Sequence, residues 1–207
     1  MTRIKICGIR SPEIANQASE CGIDAIGLVF YGGSIRAVSA DLGAEIVAAV
    51  PPLVSVVGLF VDASQSEIED VLSKCPVDIL QFHGCESAAF CTQFDRPYIK
   101  AVGVQPGLDL EHIAREHTAS RALLLDAWAD GRSGGTGQTF DWGLIPEGFS
   151  RHWVLAGGLN PQNVAEAIRQ TSAPAVDVSG GVESAPGEKD IELIQRFVAE
   201  VQSTARG

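Results

Sequence analysis

The chain has 207 residues, 45% of them hydrophobic and 20% charged; this excludes a disordered polypeptide and fits one globular domain over residues 1–207. A formal net charge of −11 argues against nucleic acid or an anionic membrane as a partner, because both need a basic surface that displaces counterions. An anionic small molecule must then be held by local groups.

The first stretch, "MTRIKICGIR", alternates cations with single isoleucines and has no continuous apolar core, and no window reaches the length of a membrane span. The expectation is a soluble, cytoplasmic protein. Cys7, Cys21, Cys75, Cys85 and Cys91 form an odd set without a CxxC pair. They argue against a disulfide framework, give a metal site little support, and suit a reducing compartment.

In chain order, short apolar runs read as strands: "RIKICGI" (3–9), "AIGLVF" (25–30), "VSVVGLFV" (54–61), "DILQFHG" (78–84), "YIKAVGV" (98–104), "ALLLDAW" (122–128), "HWVLAGG" (152–158) and "AVDVSGG" (175–181). Their Val, Ile and Leu content is that of strands buried on both faces of a parallel sheet. Between them, residues 11–22, 39–50, 64–75 and 160–171 carry apolar side chains at helical spacing. Ser11-Pro12 and Asn160-Pro161 read as a cap with proline just inside, and Ser39 and Ser64 read as caps too. After the sixth strand, "FDWGLIP" leaves room for barely two turns. Eight such units predict an α/β fold, a (β/α)8 TIM barrel near its lower size limit. A doubly wound open sheet is the alternative, weakened by the absence of GxGxxG after the first strand.

In such a barrel, chemistry sits where strands end. Cys7, His83, Asp126 and Ser179 end the first, fourth, sixth and eighth strands, and Arg36 lies in the second loop. Residues two apart share a face, so Lys5 joins Cys7 in the interior, Gln81 joins His83, Leu124 joins Asp126, and Asp177 joins Ser179. Unpaired cysteines are ordinarily small buried hydrophobes, the reading given to Cys21, Cys75, Cys85 and Cys91. Cys7 differs because Lys5 on the same face can stabilise its thiolate and lower a pKa that starts near ~8.5.

Asp126 follows four apolar residues, where an unused carboxylate is costly to bury. His83 reads as a hydrogen-bonded strand-end histidine in a supporting role. Asp177 can orient backbone or pair with an interior lysine, Lys5 or Lys100. Glycine clusters at 134–137, 156–158 and 179–181 bring Gly135, Gly157, Gly158, Ser179, Gly180 and Gly181 to the loops that grip a phosphate through backbone N–H groups. Arg36 can hold a planar anion by paired hydrogen bonds, or be a solvated loop arginine. Trp128 and Trp142 either cover the site or pack the outer helices.

Together, "KICGIR" (5–10), "VGLFVD" (57–62), "LQFHG" (80–84), "LLLDAW" (123–128), "GGTGQTFDW" (134–142), "LAGGLNPQNV" (155–164) and "VDVSGGVESAPGEKD" (176–190) resemble the phosphoribosylanthranilate isomerases of tryptophan biosynthesis, from the first strand to the last helix. The resemblance implies a (β/α)8 barrel that converts N-(5-phosphoribosyl)anthranilate to 1-(2-carboxyphenylamino)-1-deoxyribulose 5-phosphate by an Amadori rearrangement, without a metal or organic cofactor. It implies Cys7 as general base, Asp126 as general acid and Arg36 as the anthranilate carboxylate site, with His83 and the glycine loops on the substrate-binding side.

Two departures stand out. Ile35 replaces the family's usual proline before Arg36, and Gly180 replaces a serine. Rival readings are the related aminoaldose isomerase of histidine biosynthesis, which resembles a two-aspartate design unlike Cys7, a non-catalytic phosphosugar-binding barrel, and a thiol redox sensor. Monomer and homodimer both fit the sequence.

Overall fold

The computed structural model describes residues 1–129, 132–133 and 139–205. Its strands are β1 (Arg3–Cys7), β2 (Ala25–Val29), β3 (Ser55–Phe60), β4 (Ile79–Phe82), β5 (Tyr98–Val104), β6 (Ala122–Ala129), β7 (Trp153–Leu155) and β8 (Ala175–Val178). Each pairs in parallel with the next and β8 returns to β1, so the sheet closes. Closure excludes the doubly wound alternative.

Strand parity divides the residues into two layers. Ile4, Ile6, Ile26, Leu28, Leu80, Leu123, Leu125, Val176 and Val178 face outward and join one continuous core with the helices. Ile99, Ala101, Ala122, Leu124, Val154 and Ala156 face inward as a second, smaller cluster. This cluster plugs the barrel, and the polar inward residues lie beyond it toward the C-terminal strand ends.

The helices are α1 (Pro12–Glu20), α2 (Ala40–Ala49), α3 (Gln65–Lys74), α4 (Ala88–Cys91), α5 (Leu110–Glu116), α6 (Val164–Thr171) and α7 (Ile191–Ser203). Ser11, Ser39 and Ser64 cap the first three by accepting from the backbone N–H of Ile14, Leu42 and Glu67, each worth about 1 kcal/mol. The Asn160-Pro161 pair forms the cap the sequence suggests: Asn160 Oδ1 accepts from the N–H groups of Gln162 at 2.9 Å and Asn163 at 3.2 Å, and Asn163 Oδ1 accepts from Asn160 N at 2.8 Å. The capped turn leads straight into α6, with Val164 N donating to Asn160 O at 3.1 Å. Between β6 and β7 the described residues form a two-residue strand, Arg132–Ser133, antiparallel to the end of β6, and a single 3-10 turn, Trp142–Leu144, capped by Asp141. Gly143 and the approach to Pro146 disfavour a longer helix.

One-turn α4 is held by aromatic packing, with the Phe82 ring 6.1 Å from Phe90, 5.9 Å from Phe94 and 5.8 Å from Tyr98. Next to it, Glu86 accepts from Asp62 N, Gly84 N and Lys100 Nζ, and Asp62 Oδ1 accepts from Cys85 N. These bonds tie the loops after β3 and β4 together. Lys100 therefore faces the helices, and the expectation of it as an interior lysine is corrected. No described helix is long and apolar enough to cross a membrane.

Candidate active site

The inward residues of β1 and β8 meet where the barrel closes. Lys5 and Asp177 are directly opposed in register, and Lys5 Nζ donates to Asp177 Oδ2 at 2.8 Å with both side chains buried. Of the two lysines open to Asp177, this contact selects Lys5. Burial works against the Lys5 charge, but Asp177 and Cys7 together overcome it and raise its pKa. Burial likewise raises Asp177 against the pull of Lys5. The short contact holds the two as an ion pair.

Cys7 lies two residues beyond Lys5 on the same face and is 6% exposed. Burial pushes its thiol up, and the opposing pull of Lys5 and Lys189 does not cancel that rise. The expectation of a lowered pKa is thus corrected. Lys5 acts in the anticipated direction, but enclosure by the closed barrel outweighs it. Opposite Cys7 in register is Gly27, where an added Cβ would meet Cys7 Sγ at 2.8 Å and Lys5 Cε at 3.2 Å. A mid-strand glycine is what gives this cysteine and lysine their space.

Across the barrel, Gln81, His83 and Asp126 form a chain. Gln81 Nε2 lies 3.1 Å from His83 Nδ1, and His83 Nε2 lies 3.1 Å from Asp126 Oδ2. Asp126 Oδ1 accepts from the N–H of Ala127 at 2.8 Å. Both carboxylate oxygens are therefore engaged, and the supporting role expected for His83 has a definite partner.

Arg36 is not a solvated loop arginine. Its Nε and Nη2 donate in parallel to Glu183 Oε1 and Oε2, each at 2.7 Å. The paired edge expected for a substrate anion is therefore filled from within the chain, which leaves the two Nη1 N–H groups and the second on Nη2 for any other partner. Glu183 also accepts from Lys189 Nζ at 2.6 Å and Gly187 N at 3.0 Å. Lys189 donates in turn to Ser179 O at 3.0 Å, and Ser179 Oγ to Cys7 O at 3.0 Å. This network runs from the second loop to the end of β1.

The glycine loops after β7 and β8 stand at the same rim. Gly157 has φ +83°, and a Cβ there would meet Ala127 N at 2.5 Å and Asp126 Oδ1 at 2.9 Å. Gly158 O accepts from Asn163 Nδ2 at 2.9 Å, and Gly180 and Gly181 begin a 3-10 turn over Gly180–Val182. Gly135 lies outside the described residues, as does the side chain of Trp128. Trp142 packs against the outer core, the second of its two readings.

Sequence reasoning missed Glu183, Lys189 and Gly27. Only Gly27 carried a local signal, as a glycine at an inward position inside an otherwise branched strand.

A family model described as N-(5'phosphoribosyl)anthranilate (PRA) isomerase matches residues 4–200. A curated relative from Neisseria meningitidis serogroup C, named N-(5'-phosphoribosyl)anthranilate isomerase, is 50% identical over 204 residues, covering 99% of this chain and 98% of its own. The crystal structure of phosphoribosyl anthranilate isomerase from Thermotoga maritima matches with a TM-score of 0.89 at 39% identity, covering 98% of this chain and 100% of that one. A further crystal structure, of the enzyme in complex with reduced 1-(o-carboxyphenylamino)-1-deoxyribulose 5-phosphate, matches with a TM-score of 0.87 at 38% identity and the same coverage.

Proposed function

Since the chain belongs to the N-(5'-phosphoribosyl)anthranilate isomerase family, we propose that Cys7 and Asp126 divide the two proton transfers of that reaction between them. Asp126 gives a proton to the furanose ring oxygen, the ring C–O bond breaks, and the nitrogen lone pair forms the Schiff base. Cys7, as thiolate, then takes the proton from C2', leaving an enolamine that tautomerises to the ketose. One acid and one base suffice.

The observation that carries this reading is that both side chains project inward at C-terminal strand ends, each beside an inward polar partner: Lys5 for Cys7 and His83 for Asp126. Lys5 and Lys189 favour the thiolate against burial. The substrate phosphate sits on the backbone of Gly157, Gly158, Gly180 and Gly181 with Ser179, and the anthranilate carboxylate takes the outward edge of Arg36. Anchored at both ends, the substrate spans the barrel mouth between acid and base, so positioning contributes alongside proton transfer.

The test is the fluorescence decrease when purified protein consumes phosphoribosylanthranilate, run beside the aminoaldose of histidine biosynthesis, which is expected to remain unconverted. Cys7→Ala and Asp126→Asn are each expected to lose at least ~10²-fold in turnover with the fold intact. Near-normal turnover in either variant removes that residue from its role.

A further inference from the structure

Beyond β8 the chain folds back on itself. Pro186-Gly187 makes the turn, with Gly187 at φ +85°, and the short antiparallel hairpin that results sets Glu183 opposite Lys189. Their side chains are 4% and 2% exposed, and Lys189 Nζ donates to Glu183 Oε1 at 2.6 Å. An ammonium has three N–H groups and no acceptor. The other two go to Ser179 O at 3.0 Å and Ser179 Oγ at 3.3 Å. Lys189 therefore keeps no donor for a substrate. Its reach ends at Ser179, whose hydroxyl donates onward to Cys7 O at 3.0 Å.

Glu183 serves a second cation. Arg36 is bound to both its oxygens, and the Arg36 side chain crosses the end of β1, where an added Cβ on Gly8 would meet its Cδ at 2.6 Å. Two cations thus share one carboxylate beside Cys7, which leaves one positive charge unmatched. The neighbouring pair, Lys5 with Asp177, is balanced in itself, and Asp177 opposes the thiolate that Lys5 favours. Burial works against the Lys189 charge, which Glu183 and Cys7 support, and the Cys7 charge acts on Arg36 as well. Strands β2 and β3 bring the apolar Val29 and Leu59 against Cys7, and His83 and Asp126 stand across the barrel.

We propose that the Arg36–Glu183–Lys189 cluster supplies the counter-charge of the Cys7 thiolate, with Lys189 as a positioning residue held to Cys7 through Ser179, and Glu183 setting how much charge is left over. When Cys7 gives its proton to solvent, the sulfur balances the unmatched cation and this side of the barrel becomes neutral. When Cys7 takes the proton from C2', the surplus returns. Lys5 is then a neighbour whose charge is already spent on Asp177. This inference rests on the reading of Cys7 as the base.

The experiment follows Cys7 itself, by nuclear magnetic resonance of the full-length protein labelled with 13C-cysteine, with the Cys7 Cβ signal assigned by difference from Cys7→Ala and read against pH. Lys189→Met removes the surplus and is expected to move the Cys7 titration to higher pH than in the parent. Glu183→Gln removes the one anion of the cluster, enlarges the surplus, and is expected to move it to lower pH. Opposite directions are the signature of charge, because loss of a merely structural contact sends both variants the same way. Lys189→Met is also expected to lose about tenfold in kcat/KM at neutral pH and to recover as pH rises, since burial raises the thiol and keeps the thiolate a minority there. An unmoved Cys7 titration in Lys189→Met, or shifts of one sign in both variants, overturns the proposal. If Lys189→Met does not fold, the downward shift in Glu183→Gln carries the test alone, and its absence overturns the proposal. A Cys7 signal that moves as expected while the pH profile of turnover stays in place leaves the charge balance standing and removes Cys7 from the role of base.

Discussion

Arg36 lies fork to fork on Glu183, with Nε and Nη2 each 2.7 Å from a carboxylate oxygen. A guanidinium fixed along one edge presents its remaining donors at a set angle, which a mobile surface arginine cannot do. Arg36→Ala is therefore expected to raise KM by about tenfold or more with a smaller change in kcat, measured by steady-state kinetics. Arg36→Lys should rescue little, because a point charge cannot pair with Glu183 and substrate in the same geometry. An unchanged KM in Arg36→Ala counts against the carboxylate role.

Glu183 also sets an acid-stability window. Burial by itself would raise its carboxyl, but hydrogen bonds from Arg36, Lys189 and the Gly187 N–H outweigh it and hold the pKa at about 2, down from 4.5. The unfolded chain takes up this proton near pH 4.5 and the folded one only near pH 2. The contribution to stability is thus fully present above about pH 4.5 and is lost as pH falls from there toward about 2. Thermal melts of Glu183→Gln are expected to show a shallower loss of stability over that interval than the parent. Parallel acid limbs in the two proteins would refute this account.

Gly157 joins the rim backbone to Asp126, the proposed acid. Its φ of +83° and the 2.5 Å approach of a Cβ to Ala127 N predict that Gly157→Ala destabilises by ~1–3 kcal/mol and lowers kcat by displacing Asp126. Gly148 has φ +72° but nothing within 4 Å of an added Cβ, so Gly148→Ala should cost only the backbone strain, ~1 kcal/mol, and leave kcat unchanged. Chemical melts and kinetics of the two variants side by side separate crowding from dihedral strain. Equal effects would show that crowding at Gly157 is unimportant.

The five thiols should label in a fixed order. Cys85 is exposed and Cys21 half-buried, while Cys7, Cys75 and Cys91 are buried. Burial pushes Cys75 and Cys91 up to about 11 and raises Cys7 as well. A disulfide reagent on the native protein, followed by mass spectrometry, is expected to modify Cys85 first and the buried three only as the fold opens. Cys7 reacting as fast as Cys85 would mean that the barrel mouth does not enclose it.

The barrel itself was legible because both faces of its strands are buried, which leaves continuous branched runs between capped helices. Inward parity alone brought Lys5, Cys7, Gln81, His83, Asp126 and Asp177 together. Glu183 escaped because its partner Arg36 is 147 residues away, and its own neighbours read as a polar turn. The direction of the Cys7 shift also escaped. Lys5 is visible two residues upstream, but the enclosure that defeats it exists only once the sheet has closed. Asn160 was legible as a cap, because its side chain takes up the two N–H groups that follow the proline.

The pairing of Lys5 with Asp177 spans 172 residues, nearly the whole chain, and this has a consequence for biosynthesis. The first strand leaves the ribosome carrying an ammonium group whose counter-ion is still untranslated. At ~5–20 residues per second, some ten to thirty seconds pass before the last strand can neutralise it. Until then, burying the first strand strands a cation in an apolar interior, a penalty of several kcal/mol. The first strand gains little by settling into a partial sheet before β8 arrives, and the same closure that pairs Lys5 with Asp177 also completes the surroundings of Cys7.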